Sequence, residues 1–123
     1  MGESELTGQV IGAAIEVHRI LGPGLLESIY QRSLGKELEL RDIEALPQHR
    51  LPIEYKGLNL GDDFILDFFF PGRLVVELKS VTQLAPVHTA QTMTYMKLSN
   101  VPLGLLINFN VPVLKDGIKR ISI

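Results

Sequence analysis

The feature that most constrains this chain is a pair of strand-like runs with almost nothing between them. Residues 62–70 read Asp-Asp-Phe-Ile-Leu-Asp-Phe-Phe-Phe, residues 74–81 read Leu-Val-Val-Glu-Leu-Lys-Ser-Val, and only Pro71-Gly72-Arg73 separates them. Aromatic and β-branched residues bounded by a Pro-Gly loop predict a β-hairpin. With a three-residue loop, Phe70 faces Leu74, and counting back sets Asp67 directly across from Glu77. Cross-strand neighbours lie about 4.5–5.5 Å apart at Cβ. Residues two apart share a face of a strand, so Lys79 joins Glu77. Two carboxylates and a lysine thus converge within a very apolar hairpin. A loop of another length would shift the register and separate them.

The remaining pattern supplies the rest of a domain. Apolar residues at Val10, Ile11, Ala14, Ile15, Val17 and Leu21 predict a helix over residues 7–21, with Thr7 as its N-cap. Gly22-Pro23-Gly24 breaks the chain, and a second helix is expected over 25–40, with Leu26, Ile29, Tyr30, Leu34 and Leu38 on one face. Leu51, Ile53 and Tyr55 alternate as a strand does, and Lys56-Gly57 marks a turn. Pro86 suits the first position of a helix reaching Ser99. Leu103–Phe109 is an apolar run of strand length, and residues 118–123 read as an edge strand. The order α-α-β-β-β-α-β defines a mixed α/β domain with a central β-sheet flanked by helices. A chain of 123 residues fits one domain spanning 1–123, with 1–5 expected to be flexible.

Composition narrows the chemistry. The absence of cysteine excludes disulfides and thiolate metal sites. No apolar run approaches the roughly 18 residues of a membrane span, and the acidic Met1-Gly2-Glu3-Ser4-Glu5 lacks the basic and apolar regions of a signal peptide. A cytoplasmic protein with no membrane partner is the expectation. Hydrophobic residues make up 46% of the chain, with a mean hydropathy of +0.19. That excess suits a homodimer or a protein interface, and equally a well-filled core. The formal net charge of −2 is unusual for a strong nucleic-acid binder, because phosphate neutralisation supplies most non-specific affinity. Nucleic acid as a partner would then depend on a local basic stripe, a metal ion or an assembly. Lys115, Lys119 and Arg120 are one such cluster, and they equally suit a solvated face that protects an edge strand.

Facing carboxylates in a half-buried sheet repel each other, and a divalent cation relieves the repulsion. Hard oxygen donors suit Mg²⁺ or Mn²⁺. A neighbouring lysine can hold a water and offset phosphate charge, the parts needed for metal-assisted phosphodiester hydrolysis. His88, Gln91 and Tyr95 lie on one stripe of the predicted third helix, and Glu27 and Tyr30 share a face of the second. Each has an ordinary structural alternative. Strand charges are commonly solvated ion pairs, Glu27 suits a helix first turn, and Gln91 and Tyr95 suit a half-buried helix face. His18 and His88 read as hydrogen-bonded supporting residues, His49 as surface, and Met93 and Met96 as core packing.

Asp67 followed by Glu77-Leu78-Lys79 resembles the Asp…(Asp/Glu)-X-Lys signature of the PD-(D/E)XK nuclease superfamily. Gln91-Thr-Met-Thr-Tyr95 resembles the Gln-x-x-x-Tyr motif of its exonuclease-like branch. Gly24-Leu-Leu-Glu27-Ser-Ile-Tyr30 is similar to the G-x-x-E-x-x-Y motif of a small prokaryotic family in that superfamily. The resemblance runs from about Leu6 to Ile121 and includes Glu16–Gly24 and Leu106–Asn110. The proline of the superfamily name is absent, since Leu66 precedes Asp67.

This resemblance implies a restriction-endonuclease-like core and hydrolysis of DNA or RNA with Mg²⁺ or Mn²⁺. It implies metal ligation by Asp67, Glu77, the Leu78 carbonyl and Glu27. It gives Lys79, Glu27, Gln91 and Tyr95 catalytic roles, with His88 and Tyr30 supporting them. The alternative of a different class is a catalytically inactive nuclease-fold module that binds nucleic acid or assembles with protein. A small-molecule enzyme ranks last, because no Gly-rich phosphate loop or cofactor fingerprint is present.

Overall fold

The computed structural model describes residues 3–62 and 64–123. Helix α1 spans Glu3–Leu21 and therefore starts a turn before the predicted N-cap. Thr7 is buried inside the helix and does not cap it. Glu5 falls in the first turn, where the helix dipole favours negative charge. The flexibility expected for residues 1–5 concerns in part Met1 and Gly2, which lie outside the described residues, and Glu3–Glu5 already belong to α1. Helix α2 spans Glu27–Leu40. Its buried stripe is Tyr30, Gln31, Leu34 and Leu38. Leu26, expected on that stripe, instead precedes the helix with extended backbone and is 73% exposed.

The single strand expected around Leu51–Tyr55 divides at Pro52 and Ile53. Strand β1 runs Leu46–Leu51, and β2 (Glu54–Tyr55) pairs with β3 (Leu58–Asn59) in a small separate hairpin. Strand β4 is Phe64–Phe70 and β5 is Leu74–Lys79, joined through Pro71-Gly72-Arg73 as the sequence predicts. Asp62 stays outside β4, and Asp63 lies outside the described residues. Helix α3 is Pro86–Ser99, with Pro86 in its first turn and Asn100 closing it in the left-handed conformation at φ 59°. Strand β6 is Leu103–Asn108, a 3₁₀ turn covers Leu114–Gly117, and β7 is Ile118–Ser122.

The main sheet has the order β1-β4-β5-β6-β7. Its pairs are antiparallel except β5–β6, which is parallel and has α3 as its crossover. This is a mixed central sheet flanked by helices on both faces, consistent with a restriction-endonuclease-like fold. Val10, Ala14 and Val17 of α1 and Tyr30, Leu34 and Leu38 of α2 cover one face, over Phe68, Val76, Leu78, Leu105 and Ile107. On the other face Met96 of α3 packs with Leu66, Phe69, Val75 and Leu106. Met93 does not join this core, being 41% exposed. Helix α3 lies very close to β6 at Gly104, where an added Cβ would fall 2.6 Å from the Met96 sulfur and 3.1 Å from Thr92 Cγ2.

Candidate functional site

The hairpin register is Phe70 opposite Leu74, Phe69 opposite Val75 and Phe68 opposite Val76. The ladder stops there. Beyond it β4 continues only against β1, and β5 only against β6. The two strands fork at Asp67 and Glu77, and side chains take over from backbone bonding. The Asp67 amide donates to Glu77 Oε1 at 3.2 Å, and the Leu78 amide donates to Asp67 Oδ2 at 2.8 Å. Each carboxylate thereby satisfies a backbone donor that the fork would otherwise orphan.

Strand β4 is distorted at this point. Leu66 and Phe69 both pack on the α3 face although they are three residues apart, which strict alternation forbids. The β1–β4 ladder skips the pair opposite Asp67, and the skipped β1 residue, Gln48, has φ +46°. A left-handed non-glycine inside a strand is strained backbone, and it sits against a candidate site residue.

Burial governs the electrostatics. It raises the Glu77 carboxyl to about 8, and the Asp67 charge adds to that rise. Burial likewise raises Asp67 to about 6, opposed by the Leu78 amide. Glu27 pushes both upward by repulsion, and Lys79 pulls both down. Lys79 is half-buried and closes no salt bridge with either carboxylate among the described residues. The five groups named for this cluster in the sequence are thus brought together as two hydrogen-bonded carboxylates, the Leu78 backbone, and Lys79 and Glu27 within electrostatic range.

The G-x-x-E-x-x-Y segment has a local logic. Gly24 has φ +95°, a conformation that L side chains rarely adopt. Glu27 opens α2. Tyr30 is fully buried, stacks on Phe109 at 4.5 Å, and turns its hydroxyl back to the loop. That hydroxyl donates to the Gly22 carbonyl at 2.6 Å and accepts from the Leu25 amide at 3.1 Å. From the sheet, the Ser80 hydroxyl donates to the Leu25 carbonyl at 2.6 Å. The loop that delivers Glu27 is therefore clamped from both sides next to the end of β5.

Asn108 fixes the chain beyond Lys79. Its side-chain carbonyl accepts from the Val81 amide at 3.1 Å and its amide donates to the Val81 carbonyl at 3.0 Å, as a strand backbone would. Ser80 and Gln48 are not singled out by the sequence, and Asn108 lies within the Leu106–Asn110 segment of the resemblance without a role assigned to it. A buried polar residue ending an apolar strand was the available signal for Asn108, while Ser80 and Gln48 show themselves only through their partners and backbone.

On α3, Tyr95 is half-buried. Burial raises its phenol, and the charges of Glu77 and Asp67 add to the rise. Gln91 is exposed one turn earlier. His88 accepts from the Ala85 amide at Nδ1, 2.9 Å, and its own amide donates to the Ala85 carbonyl, so it fixes the start of α3. His18 Nε2 bonds the Val111 carbonyl at 2.8 Å. His49, read as surface, is half-buried and stacks on Phe69 at 4.7 Å. Lys119 and Arg120 are exposed on the edge strand β7.

Among the described residues, no three His, Asp or Glu side chains lie close enough to form a metal-holding group. The donor set is two carboxylates with Glu27 farther off, which fits a hard cation that keeps several waters. A concavity of about 580 Å³ lies between α2 and the start of β1 and contains none of these residues. No helix among the described residues is long and apolar enough to cross a membrane.

The forked hairpin and mixed sheet define a nuclease-type α/β class. A family model described as the PD-(D/E)XK nuclease superfamily matches residues 4–121, and the chain belongs to that superfamily. No curated protein and no solved structure matches the chain.

Proposed function

We propose that this protein is a metal-dependent phosphodiesterase acting on nucleic acid, of the G-x-x-E-x-x-Y kind within its superfamily. The observation that carries the reading is the pair of carboxylates at the fork, buried together with no cation among the described residues salt-bridged to them. Such a pair is costly unless a divalent cation or protons neutralise it.

Asp67 and Glu77 would hold Mg²⁺ or Mn²⁺. In an extended strand a residue's N–H and C=O point to the same side, so the Leu78 carbonyl is turned toward the fork with its amide and suits a third donor. Glu27 adds negative charge from the clamped loop. When bound, the cation supplies charge neutralisation and Lewis acidity at the scissile phosphate. Lys79 orients the attacking water and offsets charge that develops on the phosphate oxygens. Gln91 and Tyr95 hold the substrate phosphate or the Lys79 ammonium, and His88 and Tyr30 support the elements that carry them. The test is cleavage of single- and double-stranded DNA and RNA by purified protein with Mg²⁺ or Mn²⁺. Absence of cleavage by wild type, or equal cleavage by Lys79→Ala, overturns the catalytic reading.

A second reading is a nuclease-fold binding or assembly module. The net charge of −2 and the lack, among the described residues, of a third close His, Asp or Glu side chain favour it. Calorimetry with Mn²⁺ separates the two, because a binding module shows no uptake that depends on Asp67 and Glu77.

A further inference from the structure

We propose that Phe64 is a base-stacking residue, and that the substrate is a nucleic-acid strand with an unstacked base beside the phosphate held at the fork. The proposal rests on the nuclease reading for the position of that phosphate. Phe64 opens β4, three residues before Asp67, and is 48% exposed. Its ring lies 6.1 Å from that of Tyr95 at an interplanar angle of 55°. The two rings are tilted and not stacked, so Tyr95 does not cover the Phe64 ring face to face.

Tyr95 connects this aromatic pair to the site: it packs on the core cluster that holds Leu66 and Val75, and Glu77 follows Val75 by two residues on the same face of β5. A base resting on Phe64 is therefore adjacent to a phosphate at the carboxylates. The charge of the chain supports the same conclusion. A protein with net charge −2 gains little from neutralising many phosphates. Base stacking adds affinity that does not come from phosphate neutralisation, and it tolerates any sequence because every base presents a π-face. Duplex DNA keeps its bases stacked and unavailable, so an exposed ring at the site selects for single strands, frayed ends or loops. One cation stands close by: Arg50 pairs in register with Ile65, and its Nη1 donates to the Asp62 carbonyl at 3.4 Å.

The test is equilibrium binding of the full chain in EDTA, which prevents metal-dependent turnover. The probes are fluorescently labelled 12-nucleotide dT and rU strands, a 12-base-pair DNA duplex, and a DNA strand with abasic sites. Wild type is expected to bind the dT or rU strand at least tenfold more tightly than the duplex or the abasic strand. Phe64→Ala and Phe64→Leu are expected to weaken strand binding by about tenfold, the scale of one base–aromatic contact, while Phe64→Trp retains it. Phe64→Leu keeps apolar bulk without a ring and so controls for packing.

Mn²⁺ uptake is measured in parallel by calorimetry, where no ring or base is involved, and the loss of strand binding in the Phe64 variants is read against it to exclude a misfolded site. Strand binding that is unaffected by Phe64→Ala, or equal binding to duplex and strand, overturns the proposal. Ring-dependent strand binding by a wild-type protein that hydrolyses nothing supports the stacking role and overturns the nuclease reading instead.

Discussion

Asp67 and Glu77 are bound together although both are carboxylates: the Asp67 amide donates to Glu77 Oε1 at 3.2 Å, while burial raises both carboxyls, the Asp67 charge raises Glu77 further and Glu27 adds to the rise of Asp67. This single relationship makes the site sensitive to protons and, on the proposed function, to cations.

Protons come first. Glu77 titrates at about 8 and Asp67 at about 6 in the folded protein, each above its ordinary value. The folded state therefore holds more protons than the unfolded chain between about pH 4 and pH 8, and stability falls as pH rises through that window. Thermal melts in EDTA should show a midpoint that declines from pH 5 to pH 8. Glu77→Gln should flatten the decline. Equal pH slopes for wild type and this variant would contradict the assignment.

A divalent cation must displace those protons, so Mn²⁺ affinity should increase from pH 6 to pH 8.5. The midpoint gained on adding Mn²⁺ should grow in step. Asp67→Asn and Glu77→Gln should each lose most of both effects. Calorimetric titration at three pH values is the measurement, and a pH-independent affinity would count against ligation by these groups.

Lys79→Ala should leave Mn²⁺ binding within a few-fold of wild type and reduce phosphodiester cleavage on the order of 100-fold, the scale of one positioned transition-state donor. Cleavage and calorimetry on the same preparation separate a catalytic lysine from one that merely balances charge.

The clamp on the 22–26 loop predicts a linked pair of variants. Tyr30→Phe and Ser80→Ala each remove hydroxyl hydrogen bonds to this loop, at about 1 kcal/mol of stability apiece. Both should weaken cleavage in the same direction as Glu27→Gln, although neither hydroxyl bonds the carboxylates. Chemical denaturation and cleavage rates test this. Full activity in both variants would show that Glu27 does not depend on the clamp.

Gln48 offers a test of backbone strain. At φ +46° a β-branched residue is sterically excluded, so Gln48→Val should cost about 1 kcal/mol or more, although valine favours strands elsewhere. Gln48→Gly should be neutral or mildly stabilising. Denaturant midpoints would reveal a stable Gln48→Val protein if the strand were regular.

Much of this was legible in sequence because the hairpin is over-determined. Period-two apolar residues and the Pro71-Gly72-Arg73 loop set the register that pairs Phe70 with Leu74. The fork was not legible, because forking is decided by which neighbour each strand chooses after Phe68 and Val76, and periodicity carries no partner information. Thr7 misled as an N-cap because its hydroxyl suits a cap equally well whether or not helical residues precede it. Met93 misled because a flexible apolar residue next to a core helix stripe reads as core, whereas the real stripe passes through Thr92 and Met96. Tyr30 was placed near the site by its motif, but its bonds to Gly22 and Leu25 are visible only when α1, the loop and α2 are assembled.

The tight seat of α3 on Gly104 separates two jobs that the site combines. Asp67, Glu77 and Lys79 ride on the strands, while Gln91 and Tyr95 ride on a helix whose Met96 and Thr92 side chains close on Gly104 of the sheet. A side chain added at position 104 would first displace the Met96 thioether and press on Thr92, so its effect would reach the α3 side of the proposed site before the strand that carries the carboxylates.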